Sequence, residues 1–510
     1  MFVHRAVIDV RFVRRPSPGG HMGKDVVNAV FTAQDRVAFR RKLRGCLDAL
    51  GRMLDTAAFD DSAPMTGLEI EINLVDGDAG PSMRNFQILA ELGDSRFQPE
   101  LGKFNIELNV PPRSIAGGGL DAYESDILNG LRAAAECARK NESRLALIGM
   151  LPTLTQSHLV PENLSVGERF TALNSEIVAS RGDDFRIDIE GAERLSATSE
   201  SIAPESACTS VQFHLQVTPE AFARSWNASQ AIAAVQVALG ANSPYLYGRR
   251  LWAETRIAFF EQATDARPDE FKAQGVRPRV WFGERWIESV LDLYEENVQF
   301  FPPLLPEIHP EDPARVLDAG AVPGLYELRL HNGTVYRWNR PVYDVADGRP
   351  HLRVENRVLP SGPTVVDLLA NAALYFGLVR ELAEAESPVW ERLAFADAAA
   401  NFQAGARDGI EAVIRWPGRG EVPVVELVLD ELLELAHAGL DRFAVDPATR
   451  DRLLGVIENR CRSRRNGATW QVEAVCAGER RGLSREAAVR EMTQRYVELQ
   501  RLNEPVHTWR

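Results

Sequence analysis

Alternating apolar and polar residues mark the first strongly patterned segment of the chain. In residues 68–74 every even-numbered position is aliphatic, and the odd-numbered positions are Glu69, Glu71 and Asn73. Successive side chains of a β-strand point to opposite faces, so this pattern predicts a strand with one apolar and one polar face. Glu69 and Glu71 then lie on the same face, about 6.5–7 Å apart.

The same alternation recurs in four later segments, and each of them is predicted to be a strand. Their polar faces collect carboxylate, amide, imidazole and guanidinium groups: Glu107 and Asn109 in 103–110 (with Glu100 seven residues before Glu107), Gln212 and His214 in 208–217, Glu327, Arg329 and His331 in 324–331, and Arg353, Glu355 and Arg357 in 352–358.

A solvated sheet face is the simpler explanation for any one of these strands. Together they favour a sheet lined with oxygen ligands for Mg²⁺ and with arginines for phosphate or carboxylate.

Helical periodicity surrounds the predicted strands. Apolar residues at helical spacing predict helices in 25–59 and 120–141, in most of 219–300, and in the C-terminal part at 365–385, 424–440 and 485–502. Separated strands combined with long helices favour an α+β fold over a doubly wound α/β fold.

Composition narrows the class of protein. The 510 residues carry a net charge of −14, which repels nucleic-acid phosphates, so no nucleic-acid partner is expected. The five cysteines are scattered, which suits a reducing compartment, and cytoplasm is the expected location. No apolar run approaches the length of a membrane-spanning helix, so no membrane association is expected.

Several common catalytic motifs are absent from the sequence. It contains no P-loop, no Rossmann fingerprint, no G-x-S-x-G and no H-E-x-x-H. Cys208 opens a candidate strand without a neighbouring base, so we predict a buried structural thiol rather than a nucleophile. The chemistry is therefore expected to depend on the polar strand faces.

Several segments resemble the glutamate–cysteine ligases and related carboxylate–amine ligases: TGLEIE at 66–71, ELGKFNIE at 100–107, CTSVQFH at 208–214, ANSP at 241–244 and VENR at 354–357. Three further segments resemble the bacterial branch called glutamate–cysteine ligase family 2: HNGT at 331–334, RWNRP at 337–341 and PVHTW at 505–509. The resemblance extends over about 22–510.

This resemblance implies a glutamine-synthetase-like fold, in which a curved antiparallel sheet forms an active-site funnel with helices around it. Arginines followed by the run PSPGG at 16–20, without the apolar core of a signal peptide, predict a flexible N-terminal extension at 1–21, with Met22 as an alternative start. A catalytic core would span 22–390, and a helical C-terminal region at 391–510 would pack on it. The oligomeric state is left open.

The resemblance also implies ATP and two or three Mg²⁺ ions. The implied metal ligands are Glu69, Glu71, Glu100, Glu107, Glu355 and His214. The implied nucleotide-binding residues are Gln212, His214 and Glu355, although Gln212 stands where many relatives have a histidine, which leaves its role as a ligand open.

Arginines complete the implied site. Arg357 would stabilise the transferring phosphoryl group, with Arg337 or Arg340 as a second cation. Arg256 would meet the substrate carboxylate, and Asn109 is a further candidate for substrate binding.

The implied function is an ATP- and Mg²⁺-dependent ligase that joins small molecules, with glutamate as the acid and cysteine as the amine. Three alternatives stay open: another acid or amine, a protein as the acceptor, and a non-catalytic nucleotide-binding protein on the same scaffold.

Overall fold

The computed structural model describes residues 31–57, 59–61 and 64–510, without the side chains of 168–171. The predicted extension at 1–21 and the start of the predicted helix at 25–30 lie outside the described residues. The strands are β1 Thr66–Val75, β2 Phe97–Pro99, β3 Asn105–Arg113, β4 Arg144–Ala146, β5 Phe185–Glu190, β6 Arg194–Ser199, β7 Val211–Val217, β8 Tyr245–Leu246, β9 Arg249–Arg250, β10 Val280–Trp281, β11 Tyr336–Arg337, β12 Asn339–Ala346, β13 Arg349–Asn356, β14 Val413–Trp416 and β15 Gly420–Pro423.

Helices alternate with these strands and dominate the C-terminal part. The helices before the last long strand are α1 Ala33–Thr56, α2 Asn85–Leu92, α3 Gly119–Lys140, α4 Glu168–Arg181, α5 Pro219–Ala231, α6 Ala233–Gly240, α7 Thr255–Ala263, α8 Asp269–Ala273, α9 Val290–Phe300, α10 Pro313–Asp318 and α11 Tyr326–Asn332. The later helices are α12 Val365–Glu384, α13 Phe395–Asp408, α14 Val424–Leu427, α15 Leu433–Arg442, α16 Pro447–Ser463, α17 Gly467–Arg480 and α18 Arg485–Gln500.

One curved sheet of seven strands is the centre of the fold. Its order is β12-β13-β7-β1-β3-β2, β4 pairs with β1, and all pairings are antiparallel. The α+β class and the curved antiparallel sheet predicted from the sequence are confirmed.

The apolar face of this sheet packs on α12. The aliphatic side chains of β1 are almost fully buried, and 17 of the 20 residues of α12 are buried. Phe213 of β7 lies with its ring centroid 5.9 Å from those of both Tyr375 and Phe376 of α12. The apolar side chains of the sheet are therefore used in the core, and the polar side chains are left to line a cavity.

Helix α12 also packs closely against α15. A Cβ atom added to Gly439 of α15 would lie only 1.9 Å from the carbonyl oxygen of Gly377 in α12. Two glycines therefore allow the two helix backbones to touch, which locks the C-terminal helices onto the helix that supports the sheet.

The predicted strand at 324–331 is wrong. Leu325 has a left-handed backbone with φ 48°, and the short helix α11 begins directly after it. Glu327 and His331 lie four residues apart, so their spacing fits a helix as well as a strand. Glu327 contacts Cys46 and the backbone N–H of His309 rather than the polar face of the sheet.

The sequence patterns also missed helix α2, which lies between β1 and β2, and helix α4 at Glu168–Arg181. In 391–510 the structure has six helices and the β14–β15 hairpin. Among the described residues, no helix is long and apolar enough to cross a membrane.

Candidate active site

A cavity of about 500 Å³ lies over the polar face of the sheet. Cross-strand pairs form its floor: Glu71 pairs with Glu107, and Glu69 lies between Gln212 on one side and Asn109 on the other. The alternation of each strand places these side chains on one face, and the strand order brings them together.

Three carboxylates form what we call the acidic cluster: Glu71, Glu100 and Glu107. One oxygen of each lies within 4.8 Å of the others. Glu71 accepts hydrogen bonds from the backbone N–H of Ser210 (2.6 Å) and from Nε2 of Gln212 (3.0 Å). These donors fix the carboxylate of Glu71 at the cavity wall.

The electrostatics of the acidic cluster favour a cation. Burial and the charge of Glu100 raise the pKa of Glu71 to about 7. Burial and the charges of Glu69, Glu100 and Glu71 raise the pKa of Glu107 well above its usual value. Crowded carboxylates with oxygen-only donors, one buried and two half-buried, fit a hard divalent cation such as Mg²⁺.

A second group, Glu69, His214 and Glu355, also brings one ligand atom from each residue within 4.8 Å of the others. His214 Nε2 lies 3.1 Å from Glu69 Oε1, but the two atoms are not aligned for a hydrogen bond. Burial acts to raise the pKa of Glu69, yet the neighbouring His214 lowers it overall.

Arg353 constrains the role of His214. Its Nε donates to Nδ1 of His214 at 3.2 Å, which places the proton of a neutral imidazole on Nε2. In this arrangement the Nε2 proton lies beside Glu69 without a hydrogen bond, and His214 would bind a cation through Nε2 only after Arg353 releases Nδ1.

Two arginines neutralise Glu355, which is fully buried. Arg340 binds both carboxylate oxygens, at 2.7 and 2.8 Å, and Nη1 of Arg357 donates to one of them. Although burial opposes it, these charges hold the pKa of Glu355 well below its usual range. Arg357 also donates to Gln212 Oε1 at 2.5 Å, so the guanidinium group of Arg357 contacts the floor of the cavity.

Arg337 lines the cavity and keeps one unused donor. Its Nε and Nη2 bond to Asn297, and Nη2 also bonds to Glu296 at 2.7 Å. Its Nη1 is buried and has no hydrogen-bond partner in the described part of the chain. An anion in the cavity would satisfy that nitrogen.

Arg256 and three aromatic rings form another wall. Arg256 is paired with Glu254 at 2.9 Å and lies over Trp338, 5.6 Å from the ring centroid. Phe260, one turn further along α7, lies with its ring centroid 5.6 Å from that of Tyr336 and 5.9 Å from that of Trp338.

The cavity contains most of the residues predicted from the sequence. It is lined by Glu69, Glu71, Glu100, Glu107, Asn109, Gln212, Arg256, Arg337, Arg340 and Arg357. Glu355 and His214 lie behind this surface, in contact with lining residues. Their roles and those of the lining residues stay predictions.

Sequence patterns did not identify Phe260, Tyr336 or Trp338 as part of the site. Phe260 follows Arg256 by four residues, which places both on one face of a helix. This spacing is the signal in the sequence that could have identified Phe260 as a neighbour of Arg256. Cys208 also lines the cavity, and burial raises the pKa of its thiol well above its usual value.

Comparison with known proteins gives one family. The model of glutamate–cysteine ligase family 2 matches residues 65–491, which contain all the cavity-lining residues. No curated protein matches the sequence at a significant level.

The solved structures similar to this chain include three ligases or synthetases. Glutamate–cysteine ligase from Francisella tularensis in complex with AMP has a TM-score of 0.54 at 11% identity, over 87% of this chain and 90% of that one. A bifunctional glutathione synthetase from Pasteurella multocida has a TM-score of 0.43 at 11% identity, over 91% of this chain and 55% of that one. The Pup ligase in complex with Pup has a TM-score of 0.40 at 10% identity, over 86% and 72%. Only the first score exceeds 0.5, and that likeness is one of fold.

Proposed function

This chain belongs to glutamate–cysteine ligase family 2, and we propose that it is an ATP- and Mg²⁺-dependent carboxylate–amine ligase that activates glutamate. The acceptor suggested by the family is cysteine. The solved relative that binds AMP supports a nucleotide as co-substrate.

One observation carries the proposal: the acidic cluster and two arginines, Arg340 and Arg357, line the same cavity. Glu71, Glu100 and Glu107 provide the oxygen ligands that Mg²⁺ prefers. Arg357 follows β13, two strands from β1, and Arg340 lies on β12, one strand further. Both line the same cavity, and arginine suits phosphate oxygens. A nucleotide triphosphate and a divalent cation would both find partners there.

The reaction needs activation because a carboxylate anion is a poor electrophile. In the proposed reaction a carboxylate oxygen of glutamate attacks the γ-phosphorus of ATP, and ADP leaves. The amine nitrogen then attacks the acyl carbon of the acyl phosphate. A C–N bond forms, the C–O bond to phosphate breaks, inorganic phosphate leaves with the electron pair, and the amine loses a proton.

The residues of this chain would position the reactants and balance charge. The acidic cluster, together with Glu69, would hold Mg²⁺, and Glu355 would fix the two arginines through its carboxylate. When bound there, Mg²⁺ supplies charge neutralisation for the phosphate oxygens and the attacking carboxylate. Arg357 would stabilise negative charge on the transferring phosphoryl group.

The test is phosphate release from ATP and Mg²⁺, with glutamate and a panel of free amines, followed by mass spectrometry of the product. Hydroxylamine in place of the amine traps the activated acid as a hydroxamate and therefore reports activation alone. We expect Glu71→Ala to abolish both signals while thermal unfolding shows a folded protein.

The matched control is Glu190→Ala, which removes an exposed carboxylate from β5, outside the cavity. It should retain wild-type activity. Near-wild-type hydroxamate formation by Glu71→Ala would refute the site assignment.

A further inference from the structure

Three leucines form a wall of the cavity that the proposed reaction does not yet use. Leu101, Leu173 and Leu305, which we call the apolar wall, come from the loop after β2, from α4 and from the segment after α9. They belong to one small hydrophobic cluster, separate from the core under the sheet. Val166 lines the same cavity and is 75% exposed.

The apolar wall adjoins the acidic cluster. Leu101 directly follows Glu100, and its backbone N–H donates to Glu100 Oε2 at 2.8 Å. The nearest part of the wall therefore lies beside the carboxylates proposed to hold the cation, which is where the acid would be activated.

Three parts of the reactants could in principle lie on this wall. The adenine base is separated from the γ-phosphate by a ribose and two phosphates, so it lies far from the reacting carbon. The acid, if glutamate, carries a second carboxylate and an ammonium group, and burying these against leucine side chains is unfavourable. The acceptor must bring its nitrogen to the acyl carbon, so its side chain necessarily lies close by.

We propose that the apolar wall is the acceptor subsite, and that the acceptor is an amine with an apolar side chain, such as an aliphatic amino acid. This inference rests on the acid activation of the proposed function and replaces cysteine, the acceptor suggested by the family, with an amine of this class in the second step. The attack and the release of phosphate are those written above, and the amine nitrogen supplies the electron pair of the new C–N bond.

The first experiment compares acceptors with the wild-type protein. Leucine, valine and phenylalanine are tested against glycine, serine, aspartate and cysteine, with ATP, Mg²⁺ and glutamate. Burial of an aliphatic side chain changes kcat/KM by about 10- to 100-fold, so we expect leucine to exceed glycine by that factor. A hydroxylamine reaction run in parallel reports acid activation by itself.

The second experiment alters the wall. Leu305→Gln places a polar group in the cavity and should lower the ratio of kcat/KM for leucine to that for glycine about tenfold or more. Leu304→Gln is the matched control, since Leu304 belongs to the same hydrophobic cluster but does not line the cavity. It should destabilise the cluster to a similar extent and leave that ratio unchanged.

The outcomes separate the two claims. Hydroxamate formation together with a preference for cysteine, glycine or aspartate, or with no turnover of any free amine, overturns the inference and leaves acid activation intact. An equal change of the ratio in both leucine variants also overturns it. If neither hydroxamate nor phosphate release occurs with any acid, the proposed function fails and the inference falls with it.

Discussion

Glu71 and Glu107 are directly paired residues on neighbouring antiparallel strands, with like charges facing each other across the sheet. Such a pair is unfavourable unless a proton or a cation lies between the carboxylates. The repulsion is therefore a cost of folding that a bound cation relieves.

Replacing one member of this pair should weaken cation binding and, at the same time, stabilise the cation-free protein. We expect Glu107→Gln to weaken binding of Mn²⁺ or Mg²⁺ at least about tenfold, because one of three charged ligands is lost. Without a divalent cation, the variant should be about 0.5 kcal/mol more stable than the wild type, since the repulsion is removed. Isothermal titration calorimetry and urea unfolding in EDTA measure the two effects. Unchanged cation affinity would show that the acidic cluster is not the binding site, and Glu190→Gln is the control.

The buried pair of Arg340 and Glu355 should be required for the stability of the sheet. Arg340→Met leaves the carboxylate of Glu355 with Arg357 alone, and breaking a buried ion pair costs about 3–5 kcal/mol. Urea unfolding should show a loss in this range. Arg349→Met, at an exposed position of the same strand pair, should change stability by less than about 0.5 kcal/mol. A small loss at Arg340 would mean that Arg357 alone neutralises Glu355.

Glu261 should make stability depend on pH near neutrality. Burial raises the pKa of this carboxyl group to about 7, above its usual value of 4.5. The folded protein then holds a proton that the unfolded chain has lost, so its stabilising effect is complete below pH 4.5 and is lost as the pH rises to about 7. In the wild type, this proton linkage lowers the free energy of unfolding by about 3 kcal/mol between pH 4.5 and 7, and Glu261→Gln should abolish that decrease.

The measurement is the free energy of unfolding at several pH values in EDTA. Glu261→Gln retains the oxygen that accepts from Gln403, so packing is preserved. Glu270→Gln, at an exposed position of α8, is the control. Parallel pH profiles of Glu261→Gln and wild type would contradict the prediction.

The glycine contact between α12 and α15 should tolerate no side chain. Gly439→Ala would place a methyl group against the backbone of Gly377, so we expect a loss of about 3 kcal/mol or more, or failure to fold. Gly455→Ala is the matched control, because a Cβ atom there would meet nothing within 4 Å and alanine favours a helix. It should be neutral or stabilising by up to about 1 kcal/mol. Comparable stability of the two variants would refute the close contact.

Much of the site could be predicted from the period of two along each strand. Alternation alone places Glu69 and Glu71 on one face of their strand, and it does the same for Glu107 with Asn109 and for Gln212 with His214. It carries no information on which strands pair, and so the opposition of Glu71 to Glu107 and of Glu355 to His214 required the structure.

Other features of the site depend on long-range contacts that leave no local signal. Outside the site, the left-handed backbone of Leu325 precedes helix α11 in a segment whose residues alternate as in a strand. The burial of Glu355 between two arginines and the unused nitrogen of Arg337 follow from packing between distant segments. The contact of Phe260 with Tyr336 and Trp338 likewise forms only because α7 packs near β11, which lies more than seventy residues later in the chain.

The strand order also gives the floor of the cavity an electrical polarity. Arg340, Arg353 and Arg357 lie in or next to the β12–β13 edge, where Glu355 and Asp344 offset only part of their charge. Glu71 and Glu107 lie on β1 and β3. Fixed charges separated in this way create a field that runs across the strands. This field would orient an approaching ligand that has one strongly anionic end. The anionic end would point towards β12 and β13 before the ligand contacts the protein.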